Sequence, residues 1–175
     1  MAALLLALAG SVGPAQAQAA ASTLPGGATS IQETYQDWLV ACAQGQAATH
    51  NCAFSQTQTN QNGQRVLSIE LTPDTGGRTA HGNLVLPFGL YLDAGASLQI
   101  DDGATGEVNR FATCLAAGCV VPVRFGEAAM PFLRAGQKLN VHTRAGDGSQ
   151  VLVFPISLAG FSGALDRTLQ LLPAN

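Results

Sequence analysis

The chain has 175 residues, 47% of them hydrophobic and only 11% charged. That excludes an intrinsically disordered protein, which combines few apolar residues with many charges. Eleven acidic against eight basic side chains give a formal charge of −3, and Lys138 is the only lysine, so no basic stripe exists to neutralise phosphates and nucleic-acid binding is not expected.

Residues 2–12 form an apolar run of signal-peptide length, too short for the ~20 residues that span a bilayer. Ala15-Gln16-Ala17 follows as an A-x-A cleavage site, overlapped by Ala17-Gln18-Ala19. Residues 1–17 therefore read as a signal peptide, although no basic residue precedes the apolar run, and the mature chain is expected to start near Gln18 or Ala20. Residues 18–30 carry small and polar side chains without apolar periodicity and read as a flexible leader. Residues 31–175 are expected to form a single domain, with no transmembrane helix after cleavage.

Within that domain the dominant signal is period two, which puts one face of a strand in a core. Leu67, Ile69 and Leu71 alternate with Ser68 and Glu70; Leu84, Leu86, Phe88, Leu90 and Leu92 share one parity. Leu98 with Ile100, and Leu139, Val141 and Thr143, repeat the pattern. Residues 120–125 and 151–158 are denser apolar runs. Pro87, Pro122 and Pro155 interrupt apolar runs and point to sheet edges or bulges, because proline cannot donate to a ladder. Turn chemistry separates the runs at Asn62-Gly63, Pro73-Asp74, residues 93–95, Asp102-Gly103 and Gly146-Asp147-Gly148. The expected fold is all-β, an antiparallel, jelly-roll-like sandwich with one or two short helices. The best helix runs from Glu127 to Arg134, confined to about two turns by Pro131, and a second short turn follows Gly160.

Cys42, Cys52, Cys114 and Cys119 are an even set, read in an exported chain as a disulfide framework. Three pairings are possible. The local ones, Cys42 with Cys52 and Cys114 with Cys119, are favoured because each closes a short loop containing glycine. The spacings do not suit structural zinc, and Cys114 and Cys119 are too far apart for a Cys-x-x-Cys redox pair.

No catalytic motif is assembled by the sequence. Gly160-Phe161-Ser162-Gly163-Ala164 approaches a nucleophile elbow, but no histidine follows Ser162, and a small-residue turn is the better reading. His50, His81 and His142 lack the spacing that would present two of them together. Residues 101–107 have the flavour of a calcium loop without its ligand order, and a hairpin turn explains them better. Nothing singles out a carboxylate pair among the eleven acids. No catalytic residue, metal or cofactor is therefore expected.

The ordered set Tyr35-Gln36-Asp37-Trp38-Leu39-Val40-Ala41-Cys42, Cys52, residues 84–92, Leu98-Gln99-Ile100-Asp101-Asp102, Phe111-Ala112-Thr113-Cys114 with Gly118-Cys119, and Ile156-Ser157-Leu158-Ala159-Gly160-Phe161 through Asp166 resembles the invasion-associated locus B family of bacterial envelope proteins. The match runs from about Tyr35 to Thr168. The resemblance implies an exported, β-rich periplasmic or cell-surface domain, associated in some pathogens with entry into host cells. It carries over the four cysteines as disulfide pairs and Trp38 as a core or inter-sheet residue, and no catalytic residue. The expected function is non-enzymatic binding of a host-surface or envelope partner. Candidate contact surfaces are the Cys42–Cys52 loop, Gln56 to Gln64 and Thr72 to His81. The alternative is a hydrolase or small-ligand binder with a site between the sheets.

Overall fold

Alternation of apolar and polar side chains builds a meander of β1 (Ser30–Tyr35), β2 (Trp38–Gln44), β3 (His50–Thr59), β4 (Arg65–Pro73) and β5 (Ala80–Leu86). Six further strands follow: β6 (Ala96–Ile100), β7 (Thr105–Asn109), β8 (Thr113–Leu115), β9 (Gly118–Phe125), β10 (Lys138–Arg144) and β11 (Val151–Ser157). Among the described residues there are two α-helices, α1 (Met130–Ala135) and α2 (Phe161–Leu171). This computed structural model describes residues 24–45 and 50–172; the signal peptide expected over 1–17 and the first part of the leader lie outside the described residues.

The strands form two antiparallel sheets, one of seven in the order β1-β2-β3-β4-β5-β9-β8 and one of four in the order β11-β10-β6-β7. One face of the larger sheet is apolar. Trp38, Val40, Phe54, Leu67, Ile69, Leu71, Leu84, Val121 and Val123 are all buried there at alternate positions. The second layer consists of the smaller sheet, which contributes Leu139, Val141 and Ile156, and of α2, which contributes Phe161, Ala164 and Leu165, all in one core. The architecture is thus the sandwich expected from the pattern, with a helix covering part of one face.

Three local expectations needed correction. The parity of Leu84 to Leu92 does not continue as one strand: β5 stops at Leu86. Pro87 cannot extend the ladder and Gly89 turns the chain at φ +84°, so Phe88 is 61% exposed and Leu90 makes a lone bridge to Ala145, just past the end of β10. Here the chain passes between sheets. The turn after Gly160 is in fact α2, three turns long, with Phe161, Ala164, Leu165, Thr168 and Leu171 buried at helical spacing. Ser162, Gly163 and a threonine in the buried stripe weaken its sequence signal. Thr168 is accommodated because its hydroxyl donates to the Ala164 carbonyl at 2.7 Å. Finally, α1 starts at Met130, not at Glu127, and buries Met130 and Leu133, leaving Phe132 66% exposed. Within the leader, the described part begins with Leu24, which is buried in the core.

The prolines sit where a missing N–H costs least. Pro155 lies in β11, an outer strand of the smaller sheet. Pro122 lies in β9 beyond the last residue that β8 pairs, Val120. Both disulfides cross between residues directly opposite in antiparallel pairs: Cys42 to Cys52 on β2 and β3, Cys114 to Cys119 on β8 and β9.

Candidate functional site

The two sheets are held together at one end and part at the other. At the closed end the aromatic rings of Trp38, Phe54 and Phe161 pack with centroids 5.3 Å apart. The Trp38 indole donates to the Ser157 carbonyl at 3.0 Å, and Gln56 binds the same residue twice, donating to its carbonyl at 2.9 Å and accepting from its N–H at 3.2 Å. Gln58 donates to the Pro155 carbonyl at 2.7 Å. Side chains of the larger sheet thus satisfy the outer edge of β11. Gln56, expected on a contact loop, is only 5% exposed and performs this structural task.

At the other end β8 pairs β9 only as far as Val120, so the edge of β9 away from β5 is left without a described strand beyond that point, and β7 is the outermost strand of its sheet. Between them opens a cleft of about 570 Å³. Leu98 and Ile100 of β6 and Leu139 of β10 line one side; Phe125, Ala128, Ala129 and Phe132 line the other. Leu98 and Ile100 face inward by alternation, yet remain half-buried because no described residue covers them fully. Glu107 on β7 also lines the cleft, and its carboxylate makes no ion pair or hydrogen bond among the described residues; Arg124 touches the opening from β9, where register sets it beside His81 on the other face from Phe125. The volume and lining match a preformed small-ligand site.

The residues weighed for chemistry are not gathered at this cleft. His50 is buried at the start of β3, His81 stands on β5 opposite Arg124, and His142 on β10 bonds Gln99 at 2.9 Å. Among the described residues no group of three His, Cys, Asp or Glu side chains could hold a metal ion. Ser162 opens α2 and donates to the Arg134 carbonyl at 3.0 Å. Residues 101–104 turn between β6 and β7; Asp101, at φ +48°, accepts from the Gln137 and Lys138 N–H groups, so its carboxylate ties that turn to β10. The shifted groups lie elsewhere. Arg167 of α2 grips Glu33 of β1 through two 2.7 Å hydrogen bonds, which hold the Glu33 carboxyl below its ordinary range. Desolvation, aided by Glu33, pushes Tyr35 up. This group fastens the helix to the edge of the larger sheet.

The cleft was not singled out by the sequence. Its lining comes from β6, β7, β9, α1 and β10, and its one visible signal was the half-buried alternation of Leu98 and Ile100. Of the surfaces that were singled out, the middle of the Cys42–Cys52 loop, 46–49, lies outside the described residues. In the turn after Gln58, the Asn60 side-chain oxygen accepts from the Asn62 and Gln64 N–H groups. The segment from Thr72 to His81 pairs its ends as β4 and β5, and residues 74–79 between them form a tight turn, closed by Asp74 and set against Leu169 at Gly77.

Comparison with known proteins agrees with this architecture. Residues 38–169 match the family model described as "Invasion associated locus B (IalB) protein". An invasion protein B homologue of Brucella abortus is 50% identical over 148 residues, 84% of each chain. Invasion protein B of Bartonella bacilliformis is 36% identical over 168 residues, 94% of this chain and 89% of its own. The crystal structure of invasion associated protein B from Bartonella henselae superposes with a TM-score of 0.74 at 30% identity, covering 81% of this chain and 96% of that one. The protein belongs to the invasion associated locus B family.

Proposed function

We propose that this protein is exported and acts without catalysis, by binding a host-surface or envelope partner at the cleft between β7 and α1. The observation that carries the reading is the incompletely covered inner face of the smaller sheet, where apolar side chains line a preformed recess of ligand size. Two disulfides support a periplasmic or cell-surface location, because such bonds persist in oxidising compartments. Among the described residues no helix is long and apolar enough to cross a membrane. The names of the relatives, invasion proteins, fit a role at the cell envelope.

The test is photocrosslinking in intact cells with a benzophenone amino acid at Phe132, beside the cleft, or at Leu39 on the opposite face of the larger sheet. A defined adduct from position 132 that Ala104→Trp abolishes supports the reading. Adducts from position 39 alone refute it.

A further inference from the structure

We propose that the open edge of β1 pairs with β1 of a second copy of this chain, antiparallel across a two-fold axis at Gln32. The Gln44 N–H donates to the Thr29 carbonyl at 2.9 Å, and the register runs on through Ile31 with Cys42, Glu33 with Val40 and Tyr35 with Trp38. Antiparallel strands bond at every second residue, so Ile31, Glu33 and Tyr35 turn their main-chain groups to β2, while those of Ser30, Gln32 and Thr34 point away from the sheet. No described strand meets them.

Each other sheet edge among the described residues carries a device against such pairing. β8 is three residues long. Beyond it, the Val120 carbonyl accepts from Ala112 on the open side of β9, so Pro122, two residues on, withholds a donor from that side. β7 is bulged against β6, where the register shifts past Ser97, and carries the unpaired carboxylate of Glu107. On β11 the Gln56 and Gln58 amides occupy Ser157 and the Pro155 carbonyl, and Pro155 has no N–H to offer. β1, by contrast, has six residues, no proline and no register shift. Its one charge, Glu33, would guard the edge if it were free, but Arg167 neutralises it from α2 through two 2.7 Å hydrogen bonds.

The sequence of β1 suits its own copy. With the axis at Gln32, Ser30 meets Thr34 of the second copy and Thr34 meets Ser30, so each outward-facing residue exchanges two main-chain bonds with its counterpart, and Glu33 lies opposite Ile31. An axis at Glu33 sets two carboxylates face to face, and one at Ile31 leaves Thr34 opposite Ala28, before the strand begins. The contact is isologous and closes at two copies. β1 and β9 stand far apart in the larger sheet, so the pairing leaves the cleft open in both.

The experiment is sedimentation equilibrium of the protein purified from the cell envelope, from about 1 to about 500 µM. A reversible dimer of micromolar affinity is expected, because a pair of six-residue strands buries less than a standard interface. Gln32→Pro removes an N–H that faces outward and not β2, and should weaken dimerisation by about tenfold or more. Gln32→Lys sets like charges opposite each other at the axis and should weaken it by about two- to fivefold, an effect that salt relieves. The lysine variant leaves the backbone untouched and decides the case if the proline variant fails to fold. Gln32→Cys should give a disulfide-linked dimer under mild oxidation, and Val153→Cys, at the exposed half of β11, should not. A monomer at every concentration, a dimer indifferent to Gln32→Lys, or faster crosslinking at position 153 than at 32 overturns the proposal.

Discussion

Gln56 offers the sharpest test of how the sandwich is closed. Its amide donates to the Ser157 carbonyl at 2.9 Å and accepts from the Ser157 N–H at 3.2 Å, at 5% exposure. Gln56→Ala removes the two hydrogen bonds to Ser157, about 1 kcal/mol each, and a third that Gln56 accepts from the Gln58 amide at 3.2 Å, which matters less because that amide keeps the Pro155 carbonyl; it also leaves the Ser157 N–H without its acceptor. The Ser157 carbonyl keeps the Trp38 indole, which limits the damage. The expected loss is about 2–4 kcal/mol, against about 0.5 kcal/mol for an ordinary surface position. Gln56→Glu adds a pH signature. Its carboxylate still accepts from the Ser157 N–H but faces the Ser157 carbonyl where the amide donated, so the folded state favours the protonated acid and raises its pKa. A raised pKa means stability that is present below the ordinary glutamate value of about 4.3 and lost as pH rises through the folded value. Urea denaturation at about pH 4 and about pH 7, followed by fluorescence of Trp38, the single tryptophan, measures both effects. A loss below about 0.5 kcal/mol for the alanine variant, or no pH-dependent difference between Gln56→Glu and wild type, refutes the assignment.

The two disulfides should differ in weight. Chain-entropy arithmetic for separations of 10 and 5 residues gives about 2.7 and about 2.1 kcal/mol, but Cys42 and Cys52 are 3% exposed in the core, so replacing that pair with alanine also opens a cavity; equal denaturant midpoints for the two double variants would contradict this. Glu33 is held ionised by Arg167, so its contribution is present above the ordinary carboxylate range and is lost as pH falls through its lowered value. Glu33→Gln should flatten the acid limb of the stability curve, and an unchanged limb argues against the pairing. Gly160 lies at φ +89°, and an added Cβ would run into the Tyr35 carbonyl. Gly160→Ala should therefore cost more than the ~1–2 kcal/mol of left-handed strain alone and detach α2, seen as lost helical ellipticity. N-terminal sequencing of protein from the cell envelope should read from near Gln18 or Ala20, and an intact Met1 there rules cleavage out.

Sequence periodicity carried the fold because alternation is a local property: Leu67, Ile69 and Leu71 face a core whichever sheet lies opposite. It misled where a neighbour intervened. The parity of Leu84 to Leu92 is unbroken in sequence, yet Pro87 and Gly89 redirect the backbone and Phe88 ends in solvent. The helical spacing of Phe161, Ala164, Leu165 and Thr168 was present but masked by weak helix formers, and packing on Trp38 and Phe54 overrides their propensity.

Composition, alternation and the four cysteines determined by themselves a disulfide-bearing β-rich domain and its family resemblance, since each depends on side-chain chemistry or on neighbours a few residues apart. Only the tertiary structure decided that Gln56 closes the sandwich and that Leu98, Ile100 and Phe132 line an open cleft. Those pairings join residues distant in the chain, and their geometry exists only once two sheets have stacked and one strand, β8, has stopped short.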